Sequence, residues 1–208
     1  MTDKSAASVL LLTVFFITCL YQAKAQGSGT FTDPRDGETY ATIEIEDPLV
    51  GKVTWMVQNL RFLTADSWAY NNKEKYVQNL GRLYTWWAAI KACAAGWRLP
   101  DVADWDALIN AFGGDKNANV LKSTRGWTNG GNGSNTSGFS GIPGGYRSYY
   151  GVFYSLGSVG VWWSSSEENI DLAWYLNLGE DSGNVYRYDG TKAGRDKGNG
   201  LSVRCLRD

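Results

Sequence analysis

The side chains of this chain that could do chemistry are three cysteines, a run of clustered carboxylates, and a large set of tyrosines, tryptophans and arginines. The sequence contains no histidine. That removes Ser-His and Cys-His nucleophile pairs, HExxH zinc sites and imidazole acid/base catalysis. Carboxylate, lysine and tyrosine chemistry remain. Glu167, Glu168, Asp171, Glu180 and Asp181 fall close together along the chain, and a glycoside hydrolase needs two carboxyl groups about 5–9.5 Å apart. Closeness in sequence does not make two carboxylates face each other. Solvated loop charges beside Lys192, Arg195 and Lys197 are the simpler reading.

Cation and nucleotide motifs are weaker. Asp115, Asn117 and Asn119 have the spacing of the first three ligands of an EF-hand, but Val120 stands where the sharp turn needs glycine and Gly126 where a bidentate carboxylate belongs. The segment reads as a solvated turn. No cofactor is expected, the metal site is unassigned, and a structural calcium held by loop carbonyls elsewhere stays open without a motif to support it. No GxxxxGK[ST] and no strand-GxGxxG-helix pattern occurs, so nucleotide binding has no support. Lys plus Arg number 20 against 21 Asp plus Glu, a net charge of -1, and the cations are scattered. Such a balance offers no field to nucleic acid or anionic lipid.

Aromatic side chains are the remaining candidates, with 10 Trp and 12 Tyr in 208 residues. Tyr146, Tyr149, Tyr150, Tyr154, Trp174, Tyr175, Tyr186 and Tyr188 crowd the glycine-rich C-terminal half, interleaved with Arg147, Arg187 and Arg195. Tyr, Trp and Arg are what binding hot spots and sugar-stacking platforms use. Trp162 and Trp163 are neighbours on an expected strand and so point to opposite faces, which places one in a core layer and the other, taken as Trp163, toward loops or solvent. The candidate ligand-binding set is therefore Tyr146, Arg147, Tyr149, Tyr150, Trp163, Trp174, Tyr186, Tyr188 and Arg195. Trp86, Trp97, Trp105 and Trp127 are read as core.

The elements that position these groups begin with a leader. An apolar run from Val9 to Tyr21 precedes Ala23-Lys24-Ala25, small residues that suit cleavage before Gln26. Residues 1–25 read as a signal peptide, the run being too short to span a hydrocarbon core of about 30 Å comfortably. Removal of Cys19 with the leader is preferred over its lipidation, and an uncleaved anchor is the alternative. Export to the cell surface or exterior, with no membrane span left after cleavage, follows. Cys93 and Cys205 then remain in an oxidising compartment and should pair. For a loop of about 100 residues the chain-entropy model gives such a bond roughly 4.7 kcal/mol. A thiolate nucleophile with a bystander is the rival reading, and it lacks a histidine partner.

Residues 26–38 read as a flexible, turn-rich lead-in to a domain over 39–208. Alternation predicts a strand over Thr39–Ile45, hairpin-paired with Val53–Val57. Thr85 caps a helix carrying Trp86, Ala89, Ile90 and Cys93 on one stripe, and Asp101 with Asp104 opens a second carrying Trp105, Leu108, Ile109 and Phe112. The stretch from Gly126 to Gly145 is too glycine-rich for regular structure. Short strands are expected over Val161–Ser165, Leu172–Leu178, Asn184–Tyr188 and Leu201–Leu206. Two helices, a small antiparallel sheet and long loops make an α+β domain.

Five separated motifs, GRLYTWWAAIKAC (81–93), GWRLPDVADWDALI (96–109), IPGGYR (142–147), WWSSSE (162–167) and SVRCLRD (202–208), occur in the order of a known family. On them the chain resembles the Fibrobacter succinogenes major paralogous domain family, which is similar to the formylglycine-generating-enzyme-like branch of the C-type lectin-like fold. The resemblance implies a C-type lectin-like fold, in which a long disulfide commonly ties the first helix to the last strand, in agreement with Cys93 and Cys205. The chain lacks the EPN or QPD and WND triplets of calcium-dependent sugar binding. The resemblance implies a secreted or surface recognition module, non-catalytic, that binds a glycan or protein through its loops. A structural or assembly component of an appendage or matrix, and a carboxylate-based polysaccharide hydrolase, are the alternatives.

Overall fold

The computed structural model describes residues 25–47, 51–187 and 195–208. The leader with Cys19, and Tyr188 among the candidate residues, lie outside these. Chain order begins β1 (Ala25–Thr32), β2 (Thr39–Asp47), β3 (Gly51–Met56) and β4 (Ser67–Trp68), then α1 (Val77–Leu80), β5 (Leu83–Tyr84), α2 (Trp86–Ala92) and α3 (Val102–Ala111). It continues with β6 (Tyr146–Arg147), β7 (Phe153–Tyr154), β8 (Val159–Glu167), β9 (Leu172–Gly179), β10 (Val185–Arg187), β11 (Arg195–Asp196), β12 (Leu201–Ser202) and β13 (Leu206–Arg207).

The α+β C-type lectin layout expected from the sequence is not what forms. The described residues are mostly β, with 13 strands in three sheets against three short α-helices. A four-stranded sheet runs β1-β2-β3-β13, a seven-stranded curled sheet runs β10-β9-β8-β12-β5-β4 with β11 also on β9, and β6 pairs with β7 alone. The difference arises from strands of two residues, such as β4, β5, β6, β7 and β11. Two residues cannot show alternation, so their pairing is set by distant partners and not by local pattern. Likewise β1 occupies part of the expected flexible lead-in and pairs antiparallel with β2 through Phe31↔Tyr40 and Thr32↔Thr39.

Both expected helices form. Thr85 accepts at its hydroxyl from the Ala88 amide at 3.3 Å. Asp101 and Asp104 close a reciprocal capping box, and Arg98 bonds Asp104 at 2.5 and 2.9 Å. Ile90 departs from the expected stripe and is exposed, whereas Trp86 and Ala89 are buried.

The large sheet divides two cores. Trp163 and Val161 point to the one shared with α2, Trp97 and Cys205; Trp162 points to the one shared with α3, Trp55, Trp127 and Phe139. Both Trp162 and Trp163 are fully buried. The opposite-face argument holds, and the error was to assume only one covered face. Burial of such a ring contributes roughly 4–6 kcal/mol by area.

Arg61, Arg82, Lys122, Lys197 and Arg204 are buried in this framework; the first two pair with Glu38 and Glu74, and the other three are held mainly by neutral oxygens. Arg204 is fully buried and meets no carboxylate among its bonds: it donates to Asn59 Oδ1 from Nε (3.2 Å) and Nη2 (2.9 Å) and to the carbonyl of Phe139 at 2.5 Å. Burial pushes its guanidinium down to about 9, so it remains cationic at neutral pH. Lys197, read as a solvated loop charge, is also buried, its Nζ held by the carbonyls of Asn169 (2.8 Å) and Ile170 (3.0 Å) and by Glu167 at 3.4 Å. Lys122 Nζ reaches the carbonyls of Gly179 (3.0 Å), Glu180 (3.3 Å) and Ser182 (3.4 Å) beside the Trp127 ring. Lys122→Met should cost about 1–3 kcal/mol by leaving those carbonyls without a donor. Faster amide exchange in residues 179–184, measured with the denaturation midpoint, checks this; unchanged exchange there would refute the clamp.

Cys93 and Cys205 form a disulfide with a Cα–Cα distance of 5.9 Å. It joins the C-terminal cap of α2 to the segment between β12 and β13.

Candidate functional site

The densest group of expected site residues sits on the β6–β7 hairpin. Entry to it requires Gly145, whose φ is +66° and whose missing Cβ would stand 2.3 Å from the Tyr154 carbonyl oxygen. Tyr146 pairs with Tyr154 and Arg147 with Phe153, and the turn closes through the Ser148 amide to the Val152 carbonyl at 2.8 Å. The base is fixed to the approach to β12. Arg147 and Gly200 exchange amide-to-carbonyl bonds of 2.9 and 2.8 Å, and the Tyr149 amide donates to Asn199 Oδ1 at 3.0 Å.

A rigid base leaves the tip in solvent. Tyr149 is 50% exposed, Tyr150 78%, and Val152, Tyr154 and Leu156 are exposed beside them. The Tyr149 and Tyr150 ring centroids are 3.8 Å apart at a 40° tilt. Their mutual hydrogen bond is the main cause that raises the Tyr149 phenol above its ordinary range. Arg147 lays its guanidinium on Trp68, 3.9 Å from the ring centroid, and desolvation lowers it from its ordinary value. Tyr146 stacks on Tyr154 at 5.5 Å, and Arg195 stands 4.7 Å over Tyr146 and 5.3 Å over Tyr175.

The structure therefore brings together Tyr146, Arg147, Tyr149, Tyr150 and Arg195. Tyr186, 43% exposed on β10, lies on the same sheet face as Tyr175, because the Asn177 opposite it is two residues further along β9. Trp174 points the other way, beside Val102 and Trp105 of α3. Trp163 leaves the set: it is buried, with Nε1 donating to the Tyr84 carbonyl at 2.7 Å.

The carboxylates separate. Glu167 is at the end of β8 near Lys197, while Glu180 follows β9, and its amide bonds the Ser158 carbonyl at the start of β8. Eight residues of β9 lie between the two groups, roughly 25 Å of strand. No pair drawn across them suits hydrolysis. Asp115 and Asn117 are occupied in the fold: the Asp115 carbonyl accepts from Val185 at 2.6 Å and Asn117 Nδ2 donates to the Phe112 carbonyl at 2.8 Å. Among the described residues no group of three or more His, Cys, Asp or Glu side chains converges as metal ligands.

Sequence reading missed a groove of about 810 Å³ whose rim includes Leu156 and Gly157, just past the hairpin. Its polar lining is Gln58, Asn79, Ser123, Thr124, Arg125 and Ser140. These come from well-separated segments without a shared motif, so no local pattern could have found them.

The motifs that place the disulfide, the hairpin and β8 coincide with a family model, the Fibrobacter succinogenes major domain, which matches residues 49–207. The chain belongs to that family. β1 and β2 precede the matched segment, so the Fibrobacter succinogenes major domain accounts for the large sheet, the hairpin and the groove lining. No curated protein and no solved structure is significantly similar to the chain.

Proposed function

We propose that this member of the Fibrobacter succinogenes major domain family is a non-catalytic recognition module of the cell surface or exterior, binding a glycan or protein ligand through the β6–β7 hairpin. The observation that carries this reading is a pair of adjoining, solvent-exposed tyrosines on a turn whose base is bonded to the main sheet. Rings held in place before binding lose little freedom on contact, which is how aromatic anchors contribute to affinity. The Cys93–Cys205 bond suits an oxidising compartment, and the leader read in residues 1–25 supplies a route there.

A glycan array paired with a pull-down from the native surface identifies the ligand. Against it, Tyr150→Ala should weaken binding by about 1–2 kcal/mol while the melting temperature stays within a few degrees. Binding unchanged in Tyr149→Ala and Tyr150→Ala, with the folded state intact, would remove the hairpin as the binding surface.

A further inference from the structure

We propose that the groove beside the hairpin is a binding site in its own right, for an oligosaccharide bearing carboxylate groups, with Arg125 as the residue that meets the carboxylate. The inference rests on the reading of the chain as a recognition module, but not on the tyrosine tip. Arg125 is the only charged residue of the lining, is exposed, and its guanidinium has no partner among the described residues. Among the described residues neither Asp nor Glu lines the groove. The carboxylate near its rim, Glu180, is bonded to the Thr128 hydroxyl, which also lies 3.0 Å from the Gly157 carbonyl. An anion entering the groove therefore meets an unpaired planar donor with no competing acid on the walls.

The rest of the lining suits sugar hydroxyls. Gln58 Oε1 accepts from the Ala41 amide at 2.7 Å, which leaves its amide NH2 as a donor. Asn79 and Thr124 are exposed hydroxyl or carboxamide groups, and the Ser140 hydroxyl has no partner among the described residues. Ser140 is held in the left-handed region at φ 55°, its amide fixed by Asn135 Oδ1 at 2.7 Å. A serine kept there is a strained wall position maintained by its surroundings. Leu80, Ile142 and Leu156 offer aliphatic surface for the C–H faces of a sugar ring, while among the described residues no aromatic ring lines the groove. Affinity must then come from hydrogen bonds and charge, so it should fall with salt. A volume of about 810 Å³ is in the range of small-ligand sites.

The test is calorimetric titration of the full chain with tetrasaccharides of galacturonate, glucuronate and mannuronate, each beside its carboxyl-reduced neutral counterpart. At least one oligouronide should bind wild type, weaken about tenfold or more with Arg125→Gln, and weaken similarly on carboxyl reduction. Arg125 is exposed and its guanidinium has no partner among the described residues, so its variant should melt like wild type. Equal binding of the reduced sugar, or an unaltered affinity in Arg125→Gln, overturns the carboxylate assignment. Loss with Tyr150→Ala alone moves the sugar to the hairpin, which overturns the groove site and leaves the recognition reading standing. Displacement by polyglutamate at equal concentration overturns the saccharide class, and no binding by any of the three oligouronides overturns the proposal.

Discussion

Asn59→Ala is expected to destabilise the protein more than removal of Arg204, the charged residue that Asn59 serves. Asn59 Oδ1 accepts from Arg204 twice and from Trp162 Nε1 at 2.8 Å, while Nδ2 donates to the Leu80 carbonyl at 2.9 Å and to Ser202 Oγ at 3.2 Å. Alanine there leaves the Nε and Nη2 donors of a buried guanidinium and a buried indole N–H without their acceptor, while the bonds to the Phe139 and Met56 carbonyls remain, an expected loss of about 3–5 kcal/mol. Arg204→Met removes the charge along with its bonds. The Phe139 carbonyl loses a donor, but Asn59 keeps Trp162, and a flexible apolar chain fills part of the space. Its expected loss is under about 3 kcal/mol. Urea denaturation of both variants decides the order. A larger loss for Arg204→Met would mean that the guanidinium contributes more through its bonds and its stacking on Phe139 than it costs by being buried.

The second large effect is expected from the disulfide. Cys93→Ala with Cys205→Ala should lower stability by about 2–5 kcal/mol, because the bond closes a sequence separation of 112 residues and restricts the unfolded chain. Both sulfurs adjoin the same core as Trp86, Trp97 and Val203, so the folded arrangement has packing to hold it without the bond. The double variant should therefore fold to the same structure with a lower denaturation midpoint. A midpoint equal to that of the oxidised protein would refute the restriction of the unfolded state as its main role.

These two features differ in how far sequence alone could reveal them. The disulfide was legible from the two cysteines that remain once residues 1–25 are read as a leader, and the capped helices from Thr85 and from Asp101 with Asp104. Long strands such as β8 and β9 were legible from apolar runs. The β class was not, since two-residue strands such as β5 and β12 exist only through each other, Leu201 meeting Tyr84 and Ser202 meeting Leu83. For the same reason Lys197 looked like a surface charge. Nothing local distinguishes a lysine in water from one held by the carbonyls of Asn169 and Ile170. The hairpin tyrosines stood out as candidates because they lacked periodicity, whereas Trp163 and Trp174 are separated from them only by the two covered faces of the sheet.

The place of β12 bears on how the chain reaches this structure as it is made. That strand lies between β8 and β5, parallel to the first and antiparallel to the second, and β13 completes the other sheet against β3. Leu201, Val203, Cys205 and Leu206 are all fully buried. During vectorial synthesis the earlier strands thus emerge with a gap at the centre of their sheet, and no N-terminal portion can close around a finished core. Cooperative folding has to wait for β12 and β13. Until then the apolar strands already made have no complete core to enter.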